Sequence, residues 1–459
     1  MNTMMNRRNF LRSTVAGLGV GAGFASNLAS FNAFASGATD YKALVCVFLM
    51  GGMDSHDTII PYDSLSSQSY ERIREPLLAA YDAEGVSRRR SALLALNGNL
   101  EGRSFAMPRE FANMHSLYQQ GNAAIVGNVG PLFEYVTRAS YFDGSAAIPP
   151  KLGSHNDQQS TWMTSRPEGA TTGWGGRFGD ILDASSVNAN ASFTAVSTAG
   201  NTVFLNGEST NPTIVATSGA VGVRELGVNT MFSATLEQVM RDVEGDRSNL
   251  LQRDLVRISN RSIDSNRLLN EQLELPGDPT TLFPESRLAQ QLRMVARLIA
   301  RRNSLGMRRQ IFFVPAFGFD THSDQALKLP TLQTDIDTAI RAFYDATVEL
   351  GIENEVTTFT ASDFGRTLGV NNNGTDHGWG GHHLVVGGAV NGGTIYGDIP
   401  PPELGHSQDY GRGRLIPQVS VDQYAATLGR WFGLSNSELT EAIPDLNRFD
   451  SATLAGLFG

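Results

Sequence analysis

Cysteine is almost absent from this 459-residue chain, with Cys46 alone present, so no intramolecular disulfide can brace the fold. That residue lies inside an apolar run, a place for burial rather than thiol chemistry. Long basic runs are also lacking: the formal net charge is −10, and outside the first residues the longest Lys/Arg run is Arg88-Arg89-Arg90. The acidic balance argues against nucleic acid as a partner. Long uninterrupted apolar stretches are missing too. The one near the start, Val15 to Phe34, is broken by Ser26, Asn27, Ser30 and Asn32, which makes a poor membrane span.

What that start does carry is Asn6 to Arg12, NRRNFLR, followed by the weakly apolar stretch and a small-residue site at Ala33-Phe34-Ala35. The pattern reads as a twin-arginine export signal over residues 1–35, with the translocase as a transient partner and a periplasmic or secreted destination. That route carries folded proteins, so a metal can be loaded before export. Residues 40–459 are long enough for one large domain with a substantial insertion.

The mature chain alternates strand-like and helix-like segments. Ala43 to Met50 is a continuous apolar run suited to a central strand buried on both faces, and it ends in Gly51-Gly52-Met53-Asp54. A helix is expected over Met107 to Gln120 and a strand over Ala123 to Val126. Residues from about 184 to 275 change character, first Ser/Thr/Asn/Gly-rich and then charged, and read as an inserted cap region. Leu288, Leu292, Val295, Leu298 and Ile299 mark a helix over Ser286 to Arg302. It leads into a strand over Gln310 to Val314, a helix over Thr331 to Leu350 and a strand over Val356 to Thr360. This order predicts an α/β fold with a doubly wound, mostly parallel sheet and sites at the strand C-termini.

Candidate chemistry gathers at those strand ends. Gly318-Phe319-Asp320-Thr321-His322 puts an acid and an imidazole on one face of an extended chain. Asp363 and Arg366 follow the next strand, and a Gly/Asn-rich loop then carries Asp376, His377, His382 and His383. His and Asp are the residues that hold zinc and similar ions. Ser154, His155 and Asp157 precede a probable helix, where Ser154 is either an N-cap or a nucleophile placed at an anion-attracting N-terminus.

Taken together, Gly51-Gly52-Met53-Asp54, Ser154-His155, Gly318-Phe319-Asp320-Thr321-His322, Ser362-Asp363-Phe364-Gly365-Arg366-Thr367 and Thr375-Asp376-His377-Gly378 resemble a family. It is a widespread bacterial family of twin-arginine-exported proteins with a domain of unknown function, similar to the alkaline phosphatase and sulfatase superfamily. The resemblance implies an alkaline phosphatase-like fold and a metal-dependent hydrolase of phosphate or sulfate esters, on a small molecule, glycan or lipid. It implies one or two divalent ions, zinc, calcium or manganese. Asp54 and Asp363 would hold one ion, and Asp320, His322 and His377 the other, with His382 as an alternative to His377. Ser154 would be the nucleophile with His155 beside it, and Arg366 would bind an ester oxygen by a bidentate contact. Two departures stand out. Phe364 follows Asp363 where zinc phosphatases carry His, and the sulfatase nucleophile motif is absent. These departures favour an alternative, a non-catalytic binding or assembly protein on the same fold.

Overall fold

The apolar run Ala43 to Met50 becomes the centre of a sheet. The protein is described by a computed structural model over residues 40–221, 237–238 and 250–459. The segment 1–35 read as an export signal lies outside the described residues. Strand β1 (Lys42–Met50) sends Ala43, Val45, Val47 and Leu49 into one apolar cluster and Leu44, Cys46 and Phe48 into another. With both faces buried, a strand has no position for polar alternation, which is why this one reads as a continuous apolar run.

In chain order, β2 (Ile60–Pro61), α1 (Ser64–Ala83), β3 (Leu94–Ala95) and β4 (Phe105–Met107) come next, then α2 (Ala112–Gln119) and β5 (Ala123–Gly130). Helices α3 (Arg138–Phe142), α4 (His155–Thr164) and α5 (Trp174–Ala184) lead to β6 (Ala195–Ser197), β7 (Thr213–Ala216) and β8 (Gly219–Ala220). Helices α6 (Leu250–Glu274) and α7 (Arg287–Ala300), β9 (Arg309–Phe317), α8 (Gln325–Glu349) and β10 (Val356–Ser362) follow. The chain closes with β11 (Arg366–Asn371), β12 (Gly374–His377), β13 (Gly381–Val386), β14 (Ile395–Gly397), β15 (Val419–Ser420), α9 (Val421–Phe432) and α10 (Asn436–Ala442).

Among the described residues the main sheet runs β14-β5-β13-β10-β1-β9-β6-β7-β8, with β15 also paired to β5. β1 is parallel to both β9 and β10, and β6 is parallel to β9. β13 runs antiparallel to β10 and β5, and β8 antiparallel to β7. The architecture is thus a mixed, mostly parallel α/β sheet. Helices α2, α7 and α8 cover one face, and α4, α5, α9 and α10 cover the other.

Three expectations differ from the structure. The region from about 184 to 275 is not simply a cap: its polar first half supplies β6, β7 and β8, which extend the sheet beyond β9. Asn270 on α6 accepts a hydrogen bond from the Ala220 amide of β8, so that helix is tied to the sheet edge. Residues 222–236 and 239–249 of the same region lie outside the described residues. Near Met107 the chain forms a strand and a 3-10 turn first, because Pro108 keeps its preceding residue out of the helical region and α2 starts only at Ala112. Helix α8, by contrast, begins six residues earlier than Thr331, at Gln325, with Pro330 inside its second turn. Burial of Ala326 and Leu329 offsets the hydrogen bond that the proline removes. No helix among the described residues is long and apolar enough to cross a membrane.

Candidate metal centre

The C-terminal ends of β1, β9 and β10 are adjacent in the sheet, so the residues just after them meet at one edge. Gly51, at φ +116°, is what lets them meet. A side chain there would collide with the backbone of Asp320, and its amide donates to Asp363 Oδ1 at 3.2 Å. The β11–β12 hairpin then brings His377 over the edge, paired in register with Arg366. Helix α4 supplies His155 from its first turn.

Three imidazoles surround the Asp320 carboxylate. Its Oδ1 lies 3.1 Å from His377 Nε2 and 3.2 Å from His322 Nε2, and its Oδ2 lies 3.6 Å from His155 Nε2. Ligand atoms of His155, Asp320 and His377 all fall within 4.8 Å of one another. His322 Nε2 and His377 Nε2 approach to 2.7 Å. Asp320 and His322 are close to half-exposed, so the group opens to solvent.

Proton positions decide what the cluster can hold. The Gly153 carbonyl can only accept, so His377 Nδ1, 2.6 Å away, must donate to it. In the neutral ring, Nε2 then presents a lone pair toward Asp320 and His322. His155 Nδ1 stands 2.6 Å from Asp363 Oδ2, an oxygen that also accepts from Gln159 Nε2 at 2.8 Å. With Nδ1 donating to a carboxylate, His155 Nε2 also faces Asp320 with its lone pair. His322 Nδ1 lies 3.5 Å from Asp376. Lone pairs of His155 and His377 and the Asp320 oxygens therefore converge on one small volume, an arrangement that a shared cation would balance. An imidazole pinned through one nitrogen by a carboxylate or carbonyl is also how metal-ligating histidines are oriented.

The electrostatics agree. The hydrogen bond to Asp363 holds the His155 pKa above its ordinary value, against the opposing effect of burial. Burial lowers the His377 pKa despite its bond to Gly153, which keeps that ring neutral and available as a donor of electrons. Burial pushes the Asp320 carboxyl up, but the hydrogen bond and positive charge of Arg366, with the imidazoles around it, outweigh it and hold the group below the usual range. Nitrogen-rich ligands of this kind fit zinc, whereas manganese and calcium favour oxygen-rich shells.

Several sequence candidates have other places. Asp54 is fully buried and occupied: it pairs with Arg74 and accepts from Gln325 Nε2 at 2.7 Å and the His56 amide at 3.1 Å. It is not a ligand of the Asp320 group. His382 is buried on β13, where its Nδ1 accepts from the Asn128 amide at 3.0 Å and desolvation lowers its pKa to about 3. His383 packs against Trp162 and Tyr424. Ser154 does precede α4, but its hydroxyl donates to Asp157 at 2.6 Å rather than facing the histidines. Arg366 is fully buried and so cannot grip a substrate oxygen: its guanidinium bonds Asp320, Thr375 and the Gly51 carbonyl. Asp363 lies behind His155, the residue it orients.

The sequence reading missed two contributors. Gln159 is one helical turn from His155, and that spacing, which lets both reach Asp363, was the available signal. Phe364, noted only as a departure, walls the site: its ring centroid lies 4.9 Å from that of His155 and 4.5 Å from that of His377.

Comparison with known proteins gives low-level likenesses. A structure described as Ps i-CgsB in complex with k-i-k-neocarrahexaose is 9% identical with a TM-score of 0.36, over 87% of this chain and 74% of that one. The PsFucS1 sulfatase from Pseudoalteromonas sp. is 9% identical with a TM-score of 0.34, over 90% and 70%. A Bacteroides thetaiotaomicron protein, described with the metabolism of multiple glycosaminoglycans, is 11% identical with a TM-score of 0.34, over 88% and 75%. No curated protein matches the chain. Residues 41–447 match a family profile described as a protein of unknown function, and across that span the chain belongs to the DUF1501 family.

Proposed function

We propose that this protein is a metal-dependent hydrolase of phosphate or sulfate esters, exported by the twin-arginine route and working in the periplasm or outside the cell. The observation that carries the reading is the convergence of His155, His322 and His377 through their Nε2 atoms on Asp320. His155, Asp320 and His377 would hold the ion, with His322 beside them, and the donors fit zinc. A divalent ion in such a site supplies Lewis-acid polarisation of an ester oxygen and neutralises charge growing on the transferred group. The chain's own residues set the site up. Asp363 and Gln159 orient His155, the Gly153 carbonyl orients His377, and Phe364 packs against both rings. The ester class is supported by the order of motifs along the sequence, and a glycan, lipid or small molecule is the expected carrier of the ester.

The alternative, a non-catalytic binding or assembly protein that keeps the fold, has one observation in its favour. The hydroxyl of Ser154 is committed to Asp157, and Arg366 is buried, so neither offers itself to a substrate.

Metal analysis separates these readings. The exported protein, purified without added metal, is expected to carry about one equivalent of a transition ion and to lose it in Asp320→Ala, with the fold retained by circular dichroism. Equal metal content in both proteins rejects the centre. Metal uptake without turnover in an ester screen favours the binding protein.

A further inference from the structure

Behind the metal centre lies a buried polar network that the ligand set does not use. Asp54, Asp57, Arg74, Gln325, Arg366 and Thr375 are each fully buried. Arg74 pairs with both Asp54 and Asp57, and Tyr70 and Tyr81 donate their hydroxyls to Asp57. Two carboxylates against one guanidinium leave an excess negative charge, which needs further donors in so dry a place.

Gln325 supplies them, and its amide orientation follows. Nε2 donates to Asp54 Oδ2 at 2.7 Å and to Asp57 Oδ2 at 2.9 Å. Oε1 therefore faces the other way, where it accepts from Thr321 Oγ1 at 3.1 Å and from Thr375 Oγ1 at 2.8 Å. A threonine hydroxyl has one proton, and here it goes to Gln325. The same oxygen is left to accept from Arg366 Nε at 3.1 Å, since a guanidinium can only donate. Arg366 in turn bonds Asp320 Oδ1 at 3.0 Å, the oxygen that the Nε2 atoms of His322 and His377 approach. Arg366 also donates to the Gly51 and Thr375 carbonyls, so Thr375 Oγ1 governs its Nε and completes one continuous path of bonds from Asp54 to Asp320.

We propose that Gln325 and Thr375 are positioning residues that lock Arg366 onto Asp320, so that the buried Arg74 ion cluster sets the affinity of the metal centre. The inference rests on the metal-centre reading and extends it to residues that touch neither ion nor substrate. Outer partners of ligands commonly change metal affinity 10–100-fold.

The test is zinc titration of chelator-stripped full-length protein against a competing chelator, with zinc alone as the probe. Thr375→Val keeps the shape and the β preference but removes the hydroxyl, and about a 10–100-fold weaker Kd is expected. Thr375→Ser, which restores the hydroxyl, is expected to return to the wild-type Kd. Wild-type affinity in a folded Thr375→Val overturns the relay while leaving the metal centre standing. A wild-type protein that takes up no zinc overturns the centre itself, and the relay with it. A second measurement needs no variant: the Gln325 side-chain amide resonances of the wild-type protein are expected to shift on zinc saturation. Resonances that do not move overturn the coupling even if Thr375→Val fails to fold.

Discussion

Asp363 shows how far a residue's type predicts its role. The sequence places an acid after a buried strand, and the reading as a metal ligand is the natural one. The structure gives it three donors, the Gly51 amide, Gln159 and His155, which leave it orienting an imidazole. The distinction turns on a carboxylate's distance from its partners, which no spacing along the chain encodes. Asp363→Asn tests it. The substitution keeps the shape but removes the charge that holds the His155 pKa up, so that pKa should fall. Metal affinity should weaken about 10–100-fold rather than vanish, as expected for an outer partner and not for a ligand. Nuclear magnetic resonance titration of His155 in the metal-free protein and competitive zinc titration read the two effects. A complete loss of metal would return Asp363 to the ligand set.

At the scale of elements, the segments with one dominant requirement were legible. β1 and α7 each bury an uninterrupted apolar surface, and their patterns say so. Helix α7 also carries its own start signal, since the Ser286 side chain accepts from the Ala289 amide. Ser286→Ala should cost about 1 kcal/mol in denaturant unfolding, and no loss would mean that packing alone sets the end of the helix. The short strands β6 to β8 were not legible as part of the sheet. Strands of two to four residues give too few alternations to show a period, and β9, which pairs with β6, lies about a hundred residues on. Helix α9 holds a further element-level consequence. Burial raises the Asp422 pKa to about 7 against an ordinary value near 3.8, so the folded state favours the protonated form. The stabilisation is present below pH about 4 and is lost as pH rises through about 7. Asp422→Asn should therefore match wild type near pH 4 and be more stable at pH 8, by on the order of 4 kcal/mol at most. Unfolding curves at the two pH values, in metal-free protein, decide it. A difference that is the same at both ends would show that Asp422 is not held protonated.

Across the whole molecule, the proposed metal centre draws on segments that the chain separates widely: His155 from α4, Asp320 and its neighbour His322 from the loop after β9, and His377 from β12. The sequence showed which residue types stand at the strand ends, but not that Asp54 and His382 face away, because burial direction is settled by the helices and hairpin packed around them. Drawing on separate segments also has a thermodynamic consequence. An unfolded chain does not hold these four side chains together, so an ion that binds only the native site adds RT ln(1 + [L]/Kd) to stability. Zinc at about a hundredfold excess over Kd adds about 2.7 kcal/mol, which for a domain of this size raises Tm by a few degrees. Removing the ion with chelator should lower Tm by that amount, and adding it back should restore it. Asp320→Ala should start below the chelated value, because it also unpairs the buried Arg366, and should ignore both treatments, because Asp320 is the carboxylate on which all three imidazoles converge. A variant that still responds to zinc would mean that the stabilising ion sits elsewhere, and the centre would have to be sought outside this group.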